Sequence, residues 1–209
     1  HYTGQVKRIF KWAVSHEKVA PAVYQALATV EGLRKGRSAA YEPEPKRPVL
    51  QAHIDAVRAV VPSPVRALID LQLLTAARPG ELVILRACDI DRSGAVWVAR
   101  PQTHKGSWIG KDRTLFLGPR AQAIILPFIR TRKGPQSYLF SPVEAQRERF
   151  AACETHRHQP VAPTKTDRVV RDHYGVDTYR RAIQYACKQA GVPVWTPHRL
   201  RHTAATRIR

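Results

Sequence analysis

The chain is 209 residues long, with 35 Lys and Arg against 16 Asp and Glu, a formal charge of +19, and 44% hydrophobic residues. At about 150 residues per domain this is one large domain, or one domain with part of another, and it can bury a core without disulfide staples. So positive a balance costs self-repulsion and points to a polyanionic partner, nucleic acid ahead of an anionic membrane. The longest apolar runs, residues 65–77 and 121–129, are broken by Arg66, Asp70, Gln72 and Gln122 and fall short of the roughly 20 residues of a membrane span. No secretory signal pattern opens the chain. Cys88, Cys153 and Cys187 are odd in number and lack CxxC spacing, which fits a reducing cytoplasm better than a disulfide framework or a thiolate zinc site. A chain that begins at His1 and contains no Met reads as a piece of a longer protein.

Along the chain, Val6, Ile9, Phe10, Ala13 and Val14 recur at helical spacing and predict an amphipathic helix over residues 2–15, its other face carrying Lys7, Arg8 and Lys11. Pro21 opens a second, shorter helix with Val23, Leu27 and Val30 on one side. Both stripes need a partner surface. Residues 34–48 are charged and proline-rich and read as a linker. The main domain then begins near Val49 with a helix containing Ile54, Val57, Val60 and Val61. An apolar run without alternation over residues 65–76 predicts a buried helix, and Pro79 starts another with Glu81 in its first turn. Residues 95–99 and 113–117 are strand-like and flank a glycine-containing hairpin loop, 101–111. A helix follows from Pro119 through Ile129; residues 142–175 show no periodicity and predict a mobile excursion. Asp177 or Thr178 caps a helix ending at Gly191, with Arg180, Arg181 and Lys188 on a solvated basic face, and a last helix runs from His198 to the end.

Two clusters can carry chemistry. In Thr75-Ala-Ala-Arg-Pro-Gly-Glu-Leu82 a buried helix ends and the backbone turns, which places Arg78 at a helix junction with Glu81 three residues on. A guanidinium there suits bidentate recognition of phosphate; the plainer reading is a surface pair with Glu81. In Thr196-Pro-His-Arg-Leu-Arg-His-Thr203, His198 and Arg201 share a helix face close to its N-terminus, where the helix dipole already favours an anion. The plainer reading is a basic helix lying on a nucleic-acid backbone. His198 with His202, and His156 with His158, are the tempting pairs for a metal; the first lacks the intervening Glu of a His-Glu-x-x-His motif and has no acid or thiol placed nearby, and the second falls in an irregular stretch where a solvated or phosphate-facing role is the simpler reading. Asp89 and Asp91 are a close acidic pair, the one that follows a helix, and could hold Mg²⁺ for a nuclease; a turn before a strand is the simpler reading.

Together the two clusters resemble the tyrosine recombinases, the phage-integrase family. Arg78-Pro-Gly-Glu-Leu is similar to its first arginine motif, and His198-Arg-Leu-Arg201-His202 to its His-x-x-Arg motif, in the family's order and with strand, loop and strand between them. The resemblance implies a mainly α-helical α+β fold: a catalytic domain over residues 49–209 with a small antiparallel sheet, incomplete at its C-terminus. Residues 1–33 would then be the last helices of a helical core-binding (SAM-like) domain and 34–48 the linker.

The family's active-site lysine lies in the loop between the strands, so the resemblance carries that role to Lys105, with Lys111 as second choice. It further implies double-stranded DNA as partner, a homotetramer on DNA in the complete protein, no metal or nucleotide cofactor, and strand cleavage and rejoining through a 3′-phosphotyrosine. Arg78 and Arg201 would clamp the nonbridging oxygens, Lys105 would protonate the leaving 5′ oxygen, and His198 would bond the phosphate or help deprotonate the tyrosine. The family's nucleophilic tyrosine and a second His or Trp lie downstream of His-x-x-Arg. None of the seven tyrosines here (Tyr2, Tyr24, Tyr41, Tyr138, Tyr174, Tyr179, Tyr185) occupies that position, so the chain by itself is expected to be inactive. The competing reading is a noncatalytic, architectural DNA-binding protein, which explains the charge and leaves the paired motifs unexplained.

Overall fold

Proline and glycine punctuate the chain into helices. In the computed structural model all residues are described except 1, 35, 38–40, 43, 46, 104–106, 111, 133, 152–170 and 209, with residues 108 and 208 described by backbone alone. Two compact units emerge, His1–Pro45 and Lys46–Arg209. The first holds α1 (Tyr2–Ser15) and α2 (Pro21–Thr29), joined through Lys7 Nζ donating to the carbonyl of Ala28 at 2.9 Å. No residue of either helix is buried, and Val6, Ile9 and Trp12 stand exposed along the apolar stripe of α1.

The second unit is built around α4 (Ser63–Thr75), whose Val65, Leu68, Ile69 and Leu71 are fully buried. Around it pack α5 (Pro79–Val83), α6 (Pro119–Thr131), α7 (Pro142–Ala151), α8 (Val176–Gln189) and α9 (Pro197–Ile208), while α3 (Gln51–Val60) lies against α8. Prolines open α2, α5, α6, α7 and α9, where the missing N–H costs nothing because a first-turn N–H has no intrahelical acceptor. Asp70, the acid within the apolar run, is answered by Arg58 of α3 at 2.8 Å.

A three-stranded antiparallel sheet, β1 (Ile90–Asp91), β2 (Trp97–Ala99) and β3 (Leu115–Leu117), runs in sequence order. Ala99 pairs with both Ile90 and Leu115, and Trp97 with Leu117. Strand alternation turns Leu115 and Leu117 into the core and Phe116 outward. Fold class is therefore as the motifs imply: mainly helical, with a small antiparallel sheet.

Three local expectations change. Residues 142–151, read as part of an excursion, form α7; its charges hid the helix, and they are spent on packing, Glu144 on Arg132 at 2.5 Å and Glu148 on the backbone N–H of Ser63 at 2.7 Å. Asp91 belongs to a strand, and a 3-10 turn, Ala87–Asp89, precedes it. Neither Asp177 nor Thr178 caps α8, which starts two or three residues earlier from Gly175 in an extended conformation (φ −80°, ψ 161°); Asp177 sits in the first turn and pairs with Arg180 at 3.0 Å.

Ala76, which ends α4, is held in the left-handed region at φ 50°, ψ 25°. A Cβ there costs roughly 1–2 kcal/mol, only partly offset by the greater chain entropy that glycine loses on folding. Ala76→Gly should therefore raise stability by about 0.5–1 kcal/mol, seen as a higher melting temperature; a lower one would show that the Ala76 methyl contributes packing that outweighs the strain.

Candidate active site

The left-handed turn at Ala76 redirects the chain so that Arg78, in an extended conformation (φ −72°, ψ 146°), becomes the N-cap of α5. Glu81, one turn on, folds back. Its carboxylate accepts the Arg78 backbone N–H at 2.9 Å and the Arg78 guanidinium Nη1 at 2.9 Å, and Arg113, just before β3, brings Nε to 3.2 Å of the same Oε1. The Glu81 side chain is 2% exposed and that of Arg78 39%. Burial pushes the Glu81 carboxyl up, but the hydrogen bonds from Arg78 and the charge of Arg113 outweigh it and hold the group below its ordinary range. The pair is thus more than a surface pair across a turn: the acid is buried and shared, and the outer part of Arg78 stays accessible.

The second cluster is set by α9. Its first turn is held from α4, where the buried Gln72 donates Nε2–H to the carbonyl of Pro197 at 2.8 Å. Further along, Thr203 Oγ1 accepts the backbone N–H of Val49 at 2.9 Å, and the Arg199 guanidinium donates to the carbonyl of Arg47. Arg199 is thereby used on backbone, which leaves His198 and Arg201 on the side toward α5. The rings of His198 and His202 lie 5.8 Å apart in an edge-to-face arrangement. No group of three His, Cys, Asp or Glu that could hold a metal occurs among the described residues.

Arg78, Glu81 and His198 line one cleft of about 680 Å³, together with Thr103, Val176 and Arg180. Arg201 is electrostatically coupled to the same groups. Burial lowers its pKa, repulsion from Arg78 and Arg113 adds to that, and Glu81 alone opposes it. Its Nη1 is buried with no hydrogen-bond partner among the described residues. Four guanidiniums therefore meet two carboxylates, Glu81 and the Asp177 that pairs with Arg180. An anion with several acceptor oxygens is the chemical complement of this arrangement.

Arg78, His198 and Arg201 are thus brought together from distant stretches of sequence. Lys105 and Lys111 lie outside the described residues, as do His156, His158 and Cys153. Asp89 is held by Arg86 at 2.8 Å and Asp91 by the hydroxyl of Ser93 at 2.7 Å, so each of this pair already has a structural partner. Tyr174 and Tyr179 are buried, which pushes both hydroxyls far up in pKa.

Two residues at the site were not singled out from sequence. Arg113 reads as the first residue of a strand-like run, yet it approaches Glu81; nothing in its local pattern names a partner so distant in the chain. Arg180 reads as part of a solvated face, yet it lines the cleft; helical periodicity gives the face and leaves out what that face looks onto.

A sequence model of the phage integrase family matches residues 49–209. The chain belongs to the phage integrase family. Among solved structures it is similar to the XerA recombinase (17% identity, TM-score 0.52, covering 99% of this chain and 68% of that one). It is also similar to the Tn1549 transposon integrase, solved in complex with circular intermediate DNA (17%, 0.60, 99% and 64%) and, as a variant, with transposon right end DNA (15%, 0.56, 99% and 72%). At these identities the likeness is one of fold. In the circular-intermediate complex this chain spans less than two thirds of the transposon integrase. No curated protein sequence matches.

The depressed pKa of Glu81 makes a pH prediction. A carboxyl whose folded pKa lies below its unfolded one adds stability above the unfolded value, near 4.5, and that contribution is lost as pH falls through the folded value. Glu81→Gln should cost about 1.5–3 kcal/mol at neutral pH, the range for hydrogen bonds to a charged group, with the gap to wild type narrowing below about pH 4.5. Melting curves of both proteins across pH check this; a gap that stays constant down to the acid limit would show that the charge of Glu81 does not stabilise the fold.

Proposed function

We propose that the protein carrying this chain is a site-specific DNA recombinase, and that residues 49–209 form the part of it that binds duplex DNA and holds the phosphodiester to be exchanged. Residues 1–33 then represent the end of a helical DNA-binding domain, with 34–48 as the linker. The observation that carries this reading is the cleft itself: Arg78 and His198 line it, and Arg201, electrostatically coupled to Arg78 and Glu81, has a buried Nη1 with no hydrogen-bond partner among the described residues. Membership of the family and the DNA in the solved relatives support the same substrate.

The chemistry follows from the charges. Attack by a tyrosine hydroxyl on the phosphorus puts extra negative charge on the nonbridging oxygens; the P–O5′ bond then breaks, leaving a 3′-phosphotyrosine and a free 5′ hydroxyl. Arg78 and Arg201 stabilise those oxygens, and removal of one such oriented donor typically lowers the rate about 10²- to 10³-fold. His198 bonds the phosphate or takes the tyrosine proton, and Lys105 gives a proton to the leaving 5′ oxygen. Glu81 keeps Arg78 oriented. Nothing in this scheme calls for a metal or nucleotide, and the bond energy kept in the phosphotyrosine allows rejoining. The tyrosine itself comes from outside these 209 residues, and the complete protein works as a homotetramer on DNA in the cytoplasm.

These residues alone should bind duplex DNA, with log K falling by about 0.9 per log unit of salt for each phosphate neutralised, and should form no covalent adduct with a nicked suicide substrate on a denaturing gel. In the complete protein, Arg78→Lys and Arg201→Lys should lose nearly as much cleavage as the Ala variants while retaining DNA affinity, because an ammonium cannot make a two-pronged contact. A Lys variant that cleaved at close to the wild-type rate would remove the clamp role from that residue. Cleavage lost with binding intact in these variants also separates a recombinase from a purely architectural DNA-binding protein.

The general acid is assigned by rescue. A substrate whose bridging 5′ oxygen is replaced by sulfur has a leaving group that needs no proton. Lys105→Ala in the complete protein should cleave the ordinary substrate slowly and the sulfur substrate at close to the wild-type rate. Rescue of Lys111→Ala instead would move the role to Lys111.

A further inference from the structure

Gln72 is a carboxamide on α4, the helix around which the second unit packs, flanked by Leu68, Ile69 and Leu71, and it is itself fully buried. A leucine would be the ordinary occupant of such a position, because an amide taken from water is costly unless its groups find partners. Here both ends do. Nε2 donates to the Pro197 carbonyl at 2.8 Å, and Oε1 accepts the hydroxyl of Tyr179, buried on α8, at 3.3 Å. The backbone of Gln72 is engaged as well: its carbonyl accepts the N–H of Ala76 at 3.0 Å, the bond that closes α4 at the left-handed turn before Arg78.

One residue therefore touches both arginine-bearing turns. On one side its backbone fixes the turn leading into Arg78. On the other its side chain fixes the first carbonyl of α9, and in an α-helix the carbonyl of residue i faces the N–H of residue i+4, here Arg201. His198 lies between them. Apolar contacts between helices tolerate sliding by a fraction of an ångström, whereas a hydrogen bond weakens steeply with distance and angle. An active site needs its groups within about 0.5 Å of the productive geometry.

We propose that Gln72, oriented by Tyr179, is a positioning residue that locks the first turn of α9 to the end of α4 and so sets the spacing of His198 and Arg201 relative to Arg78. The inference rests on the reading of those three residues as the phosphate site.

The test uses sulfate, a tetrahedral dianion whose charge is constant over the pH range of interest, bound to the full chain and followed by calorimetry, with melting curves alongside. Wild type binds it, and Arg201→Ala abolishes binding. Gln72→Met, close in volume and without an amide, should weaken sulfate about threefold to tenfold, the span expected for loss of one or two aligned hydrogen bonds. Tyr179→Phe, which removes a single oxygen from a buried ring, should weaken it about two- to threefold and keeps the test open if the Met variant does not fold.

Gln72→Glu separates positioning from space-filling. Its protonated acid can donate to the Pro197 carbonyl and its carboxylate cannot, so its affinity, taken relative to wild type at each pH, should approach wild type in acid and fall as pH rises. If Gln72→Met and Tyr179→Phe bind sulfate like wild type while Arg201→Ala does not, or if Gln72→Glu shows no pH dependence of its own, the positioning role is wrong and the phosphate site stands. If wild type binds no sulfate, or Arg201→Ala binds it equally well, the phosphate site itself is wrong and the positioning role falls with it.

Discussion

Guanidiniums gathered in one cleft repel each other, and the geometry of this protein depends on how that repulsion is met. Glu81 meets it. Because its carboxylate is buried, it acts at close range in a medium that screens poorly, and it orders Arg78 and Arg113 by direct approach and Arg201 by field. It neutralises only part of the positive charge, so the cleft is assembled and still electrophilic toward an anion.

The site is held up by α4. Its apolar faces make it the natural centre of the second unit, and both arginine-bearing turns are defined relative to it: one is its own C-terminal exit, the other is pinned to its last turn by a side-chain amide. Changes far out on α6 or α7 reach the cleft in part by moving α4, which close packing on several sides resists.

Much of this was legible in the sequence, and for identifiable reasons. Periodicity gave α1 and α8, proline gave the starts of α5, α6 and α9, and the Arg78 and His198–Arg201 clusters announced themselves through residue types that suit phosphate. What escaped was long-range pairing. The run 142–151 looked structureless because its charges find partners elsewhere, Arg132 and the N-terminus of α4. Arg113 and Gln72 belong to the neighbourhood of the site only through contacts that close large loops of chain, and one-dimensional patterns carry no sign of those. A glutamine inside an apolar helix was the one hint, since a buried amide asks where its hydrogen bonds go.

The crowding of like charge around Arg201 links folding to ligand concentration. Like charges crowd around Arg201, whose buried Nη1 has no hydrogen-bond partner among the described residues, so any anion that binds there in the folded state alone shifts the folding equilibrium toward it. By mass action that shift is about 2.7 kcal/mol at a hundredfold excess over Kd, comparable to a sizeable core substitution. If the cleft takes polyanions, the stability of this basic domain is a property it shares with whatever polyanion surrounds it, and buffers differing in phosphate, sulfate or nucleic acid carry-over would each see a molecule of different robustness.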